Sequence, residues 1–372
     1  MENNLQAVCI EKKWGYADPF GQIVLLCRWD YANPFREGLA VVSLEKRYGC
    51  IDAAGNVVIP IQWDHMQGFY EGLCAVCKDG KWGYIDRTGT LVIDQQWDGA
   101  DSFCGDLAQV KQNGKYGIID RSGTLVSPCC WDTVISNSYG SLIRVEKEGK
   151  YGFLDLAGKL VTPCHWEEVD HFFEGLAAVK KAGKWGFIDT TGTLVIDCRW
   201  DLVSSFDQGF AQVADDHKWG FIDKTGALVV PCQWDYTESC SDGLAMVRHE
   251  NKFGFIDMTG SLVIECRYED AGYFADGLAP VQQSGKWGFI DKSGKLVIDC
   301  IWDGAESFSE GLAAVCRDGK YGYIDTTGKI AIECKWNYAA AFENGTATVT
   351  EDEYHWMVID HTGAVLKTSI LF

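Results

Sequence analysis

Sixteen cysteines and seven histidines are the side chains of this 372-residue sequence best able to bind metal, act as nucleophiles or form disulfides. Their spacing argues against all three. Cys74 and Cys77 form a Cys-x-x-Cys pair, yet in LCAVCK, read as an alternating strand, they face opposite ways. No second pair or suitably spaced histidine completes a four-ligand zinc set. The histidines share no common spacing and make no HExxH. Neither a GxSxG nucleophile elbow nor a phosphate-cradling glycine loop occurs. Carboxylates are numerous but recur at regular intervals, whereas a catalytic pair is singular within a chain. The expectation is a protein that is not an enzyme, with no catalytic residue, no metal and no cofactor.

That interval sets the architecture. KWGFIDTTGTLVIDCRWD at Lys184 returns as KWGFIDKTGALVVPCQWD at Lys218 and KWGFIDKSGKLVIDCIWD at Lys286. The first aromatic falls at Trp14, Tyr48, Trp82, Tyr116, Tyr151, Trp185, Trp219, Phe253, Trp287, Tyr321 and Trp356, spaced by 34 residues apart from two steps of 35. Such a period marks a solenoid, propeller or array and overrides a domain count based on length. Residues 1–372 read as a single array of eleven units, with the first (5–38) and last (346–372) as caps.

Asp follows each first aromatic by four residues and Gly by seven, as in Asp86 and Gly89, Asp189 and Gly192, Asp223 and Gly226. This is turn chemistry: the carboxylate accepts nearby backbone N–H groups, and glycine takes the left-handed conformation that closes the turn. KWGFID and TLVI are therefore strands of a hairpin, and the preceding LAAVKK adds a second hairpin. Each unit reads as a three-stranded antiparallel meander followed by a connection of the form WDxxxxFxEG. Leu194, Val195 and Ile196 are all apolar, which predicts a sheet covered on both sides. The glycine after the first aromatic, replaced only by Met357, predicts close approach of the next sheet or ring. The fold class expected is all-β. An open β-solenoid is preferred to a large closed propeller-like ring, because eleven units exceed the roughly four to eight blades of propellers and no strand is left over to complete a shared blade.

A second aromatic column, Trp29, Trp63, Trp97, Trp131, Trp166, Trp200, Trp234, Tyr268, Trp302 and Trp336, is followed by acids at Asp30, Asp64, Asp98, Asp132, Glu167, Asp201, Asp235, Glu269 and Asp303. Indoles beside carboxylates can stack sugars or clamp Lys and Arg by cation–π contact. Equally, they can be core wedges between repeats, each N–H bonded to a neighbour. A basic column from Lys13 to Lys320, including Arg47, offers ion pairs between repeats. Variable positions that could carry specificity are the hairpin tips, at Arg47, Asp216, His217, His249, Glu250 and Asn251, and the connection Asn137–Ser141. Eight cysteines (Cys27, Cys129, Cys164, Cys198, Cys232, Cys266, Cys300 and Cys334) share one column. One repeat apart, they lie too far from each other for a disulfide, so they read as small buried hydrophobes in a reducing compartment.

The pattern [K/R]-[W/Y/F]-G-[F/Y]-I-D-x-x-G-x-[L/V]-V-I, followed by W-D and F-x-E-G-L-A, resembles the bacterial WG-repeat (KWG-repeat) family over essentially the whole chain. It departs from the family pattern at Asn137–Arg144 and again at Tyr354–Met357. The resemblance implies an all-β repeat architecture and a role in macromolecular interaction, and it carries over no catalytic residue.

Charge narrows the partner. The 33 basic and 53 acidic residues give a net −20, which repels phosphate backbones and speaks against nucleic acid. No apolar run approaches a membrane span and no leader is visible, so a cytoplasmic protein without membrane insertion is expected. The expected function is a non-enzymatic scaffold binding a protein or peptide, favoured to be basic, through an acidic, aromatic-bearing surface. The alternative is a carbohydrate-binding module using the tryptophan ladder.

Overall fold

The computed structural model describes residues 5–135, 142–352 and 355–370; the connection Asn137–Ser141 lies outside them. Among the described residues every regular element is a β-strand. The three strands of each unit are present, and in ten sheets the connection supplies a further, mostly short strand ahead of them. His65–Met66, Leu73–Lys78, Lys81–Asp86 and Leu91–Trp97, for example, form one antiparallel meander in chain order. Ten such four-stranded sheets follow a three-stranded first sheet spanning Gln6–Trp29.

The chain divides into two compact units: Met1–Val169 with Val179–Lys181 and Thr190–Thr193, and Asp170–Ala178 with Ala182–Asp189 and Leu194–Phe372. Within each, every sheet is hydrogen-bonded internally, neighbouring sheets share apolar cores, and among the described residues no sheet closes into a barrel. In the first unit, Cys50, Ile59 and Trp63 of one sheet share a core with Phe69, Val76 and Ile85 of the next. In the second, Phe289, Ile298 and Trp302 meet Phe308, Val315 and Ile324. A phenylalanine of the connection locks the pair where one is present: Phe103 lies edge-on to Tyr84 and Phe308 tilted against Phe289, with ring centroids 4.9 Å apart in both. Burying such a ring is worth about 1.5–3 kcal/mol, so each sheet depends on the one beside it.

The Asp-x-x-Gly turns form as expected. Asp86 Oδ1 accepts the N–H groups of Thr88 (2.8 Å) and Thr90 (3.0 Å), and the Gly89 N–H donates to the Asp86 carbonyl at 3.0 Å. Gly89, Gly192 and Gly226 have φ of 86°, 82° and 81°. The other glycine column needs a different account. A Cβ on Gly83 would stand 2.5 Å from the Ile93 carbonyl oxygen and 2.9 Å from the Gln95 nitrogen. The close approach comes from the fourth strand of its own sheet, not from the next sheet. Trp82 pairs with Trp97 and Tyr84 with Ile93, so the fourth strand bulges across the glycine. In the last sheet Trp356, Met357 and Val358 pair with Ser369, Thr368 and Lys367 without a shift. Where the glycine is missing, the bulge beside it is missing too.

The fourth strand also departs from expectation. Ile196 is 4% exposed, but Leu194 and Val195 are 40% and 41% exposed. Only the isoleucine faces a neighbouring sheet; the leucine and valine lie on the outermost strand, which is open on one side. The same exposed pair recurs at Val57 and Val58, Leu91 and Val92, Leu262 and Val263, and Leu296 and Val297.

Candidate interaction surface

The second aromatic column is core. Trp29, Trp63, Trp97, Trp131, Trp200, Trp234, Trp302 and Trp336 are all between 1% and 8% exposed, so none offers a ring face to a sugar. Each ends the last strand of its sheet just before the chain crosses to the next, and is wedged at that junction. Their cation–π partners belong to the chain itself. Arg28 lies 4.5 Å from the Trp29 ring, Arg199 4.4 Å from Trp200, Arg317 4.2 Å from Trp302 and Lys335 4.4 Å from Trp336. The expected N–H partner appears at Trp131, whose Nε1–H donates to Ser127 Oγ at 2.8 Å. The residue four before the tryptophan is Ile59, Ile93, Ile196, Val230, Ile298 or Ile332 in other repeats, with no oxygen to offer.

The acids beside this column are braces. Asp98 Oδ1 accepts from Lys81 Nζ at 2.7 Å, and Asp98 Oδ2 accepts the Asn113 N–H at 2.7 Å. One carboxylate thus ties a lysine of its own repeat's sheet to the hairpin tip of the next. Asp30 (Lys13 and Glu45), Asp64 (Arg47 and Asp79), Asp201 (Lys184 and Asp216), Asp235 (Lys218 and Glu250) and Asp303 (Lys286 and Asp318) repeat the device. Hydrogen bonds from the lysine, then from the tip N–H, hold Asp30, Asp98, Asp201, Asp235 and Asp303 below the usual carboxylate range.

The variable tips share in this role. Asp216 and His217 (φ 47° and 62°), like Glu250 and Asn251 (φ 49° and 61°), are left-handed at both positions of a two-residue turn. That conformation is uncommon for residues with a Cβ, and the brace to Asp201 or Asp235 helps to hold it. Arg47 is likewise drawn to Asp64. His249 packs edge-on against Trp234 at 6.2 Å.

What stays open is the first aromatic column, which the sequence reading assigned to building rather than to binding. Trp14, Tyr48, Trp82, Tyr116, Tyr151, Trp185, Trp219, Phe253, Trp287, Tyr321 and Trp356 are all half-buried. The short first strand of the next sheet inserts side chains between them. In the first unit Tyr31, Tyr48, His65 and Trp82 run in sequence with centroids 6.2, 6.1 and 6.1 Å apart. In the second, Tyr321, Tyr338 and Trp356 follow at 6.4 and 6.0 Å. Tyr31, His65 and Tyr338 are exposed. The signal was present in the sequence, as aromatics seventeen residues after the first column, but only register shows that the two columns interleave.

The cysteine column is half-buried against the bulge; Cys232 Sγ lies 3.7 Å from the Val213 carbonyl oxygen. Burial pushes the Cys50 thiol up to about 12 and raises Cys74 further. Among the described residues no disulfide joins the cysteines, and no three His, Cys, Asp or Glu side chains gather as metal ligands.

A family model described as WG containing repeat matches the chain ten times in tandem, over residues 14–48, 48–82, 82–116, 116–151, 151–185, 185–218, 219–253, 253–287, 287–321 and 321–354. No curated protein matches it. Among solved structures, the chain is similar to a eukaryotic initiation factor at 12% identity and TM-score 0.43, covering 89% of this chain and 95% of that one. It is similar to Hsv2p of Kluyveromyces lactis at 10% identity and TM-score 0.35, covering 64% and 97%. A third likeness is to the dihydro-heme d1 dehydrogenase NirN, at 15% identity and TM-score 0.36, covering 81% and 73%. With TM-scores below 0.5, these likenesses decide nothing about this chain.

Proposed function

Because this chain belongs to the WG containing repeat family, we propose that it is a non-enzymatic scaffold that binds a protein or peptide along its half-exposed first aromatic column. The observation that carries this reading is the ring series Tyr31–Tyr48–His65–Trp82, with its counterpart Tyr321–Tyr338–Trp356. Rings held at fixed intervals on rigid sheets offer large contact area at small entropic cost, as protein-binding surfaces do. Support for a non-enzymatic role comes from the periodic acids, which serve the turns and the braces. The net charge of −20 favours a basic partner and disfavours nucleic acid. Sixteen cysteines with no disulfide among the described residues suit a reducing, cytoplasmic setting in a bacterium, and no helix among those residues is long and apolar enough to cross a membrane.

Immobilised protein incubated with native extract should retain a specific protein at low salt and release much of it at high salt. Retention of polysaccharide, insensitive to salt, would replace this reading with sugar binding at the same half-exposed rings.

A further inference from the structure

The rings inserted in the aromatic series of the first unit stop after His65, and the next equivalent position, unlike Thr133 and Glu168 beyond it, carries no side chain at all. His65 stands between Tyr48 and Trp82, 6.1 Å from each and within 12° of the Trp82 plane. One repeat later the equivalent residue, between Trp82 and Tyr116, is Gly99. The backbone does not call for glycine here: Gly99 is a strand residue paired with Lys111 and lies outside the left-handed region. The result is a cleft of about 260 Å³ whose lining includes Trp82, Gly99, Asp101, Gln109, Lys111 and Tyr116.

The chain itself shows what such a place holds. Where this column carries tyrosine and the residue two on has a side-chain acceptor, the hydroxyl donates to it: Tyr31 to Asn33 and Tyr236 to Glu238, whereas Tyr338 is followed by Ala340. Two residues after Gly99 is Asp101, whose Oδ2 is fixed by the Gln109 amide at 3.0 Å. An acceptor is in position, and the ring that would donate to it is absent from the chain.

We propose that the Gly99 cleft takes a tyrosine side chain of the bound partner, its ring between Trp82 and Tyr116 and its hydroxyl donating to Asp101. The inference rests on the scaffold reading and names one residue the partner must present. Lys111, with its ammonium 4.9 Å from the Tyr116 ring, is the side chain that must yield to admit it.

The test uses N-acetyl-L-tyrosinamide as probe and the Trp82 indole N–H, assigned by Trp82→Phe, as the NMR reporter on the full chain. A saturable shift is expected. Binding should weaken about tenfold for N-acetyl-L-phenylalaninamide and about tenfold for tyrosinamide with Asp101→Ala, each loss being one hydrogen bond to a charged group. Gly99→Tyr, which supplies the ring from within, should abolish the shift. No shift, equal affinity for the two probes, or unchanged binding by Gly99→Tyr would overturn the proposal. The two probes on wild-type protein decide the matter even if Gly99→Tyr fails to fold. A failed probe beside intact retention of a protein from extract removes the cleft and leaves the scaffold; loss of both removes both.

Discussion

Trp287 and Trp302 face each other across one pair of strands, yet they have opposite fates. Trp287 is half-buried, while Trp302 is 1% exposed. Trp302 ends its strand where the chain crosses to the next sheet, so Phe308 and Val315 close over it and Arg317 covers its face. Trp287 sits one strand further in, on the side where only the two-residue strand Gly304–Ala305 follows. Residue type therefore does not separate a core ring from a surface ring in this repeat; position relative to the sheet junction does.

The largest expected effect is in the buried column. Trp302→Ala should cost about 3–5 kcal/mol of unfolding free energy, and Trp287→Ala much less, as read by denaturant titration. Equal losses would erase the distinction between the columns. Next comes the bulge that separates them. A Cβ on Gly254 would stand 2.5 Å from the Ile264 carbonyl oxygen, so Gly254→Ala should cost about 1–3 kcal/mol by overpacking. A smaller effect belongs to the Trp131 indole: Ser127→Ala removes its acceptor and should cost about 1 kcal/mol or slightly more.

The smallest effect per residue is in the braces, and its sign is fixed by linkage. The lysine and tip N–H hydrogen bonds hold the folded pKa values of Asp98, Asp201 and Asp303 below the ordinary aspartate value. Their contribution is fully present above the unfolded value and is lost as pH falls through the folded one. Melting temperature should hold steady near neutrality and fall below about pH 4, and Asp303→Asn should flatten that fall slightly. A melting temperature that rises on acidification would contradict the role of the braces.

Much of this was legible in the sequence. Periodicity gave the strands, the turns and the repeat boundaries, because Asp-x-x-Gly and alternating apolar residues act locally. The short first strand escaped notice because two residues such as His65–Met66 carry no period of their own. Leu194 and Val195 misled for a related reason: apolar character shows that a residue can be buried, and only its strand's place at the sheet edge shows that it is not. The role of the Trp29–Trp336 column stayed open because wedge and ligand ladder call for the same residue types. Asp98 likewise reads as surface charge until Lys81 and Asn113, 17 residues before it and 15 after, are brought to its two oxygens.

The central claim is that the half-exposed first column, with the rings inserted between its members, is the working surface. The most direct measurement compares retention of the extract protein by wild type and by a Tyr48→Ser, His65→Ser double variant, with unfolding followed in parallel. The account predicts at least a tenfold loss of retention, with the variant still folding cooperatively. Retention at the wild-type level by a folded variant would contradict it, and would move attention to the exposed pairs along the fourth strands, such as Leu91 and Val92.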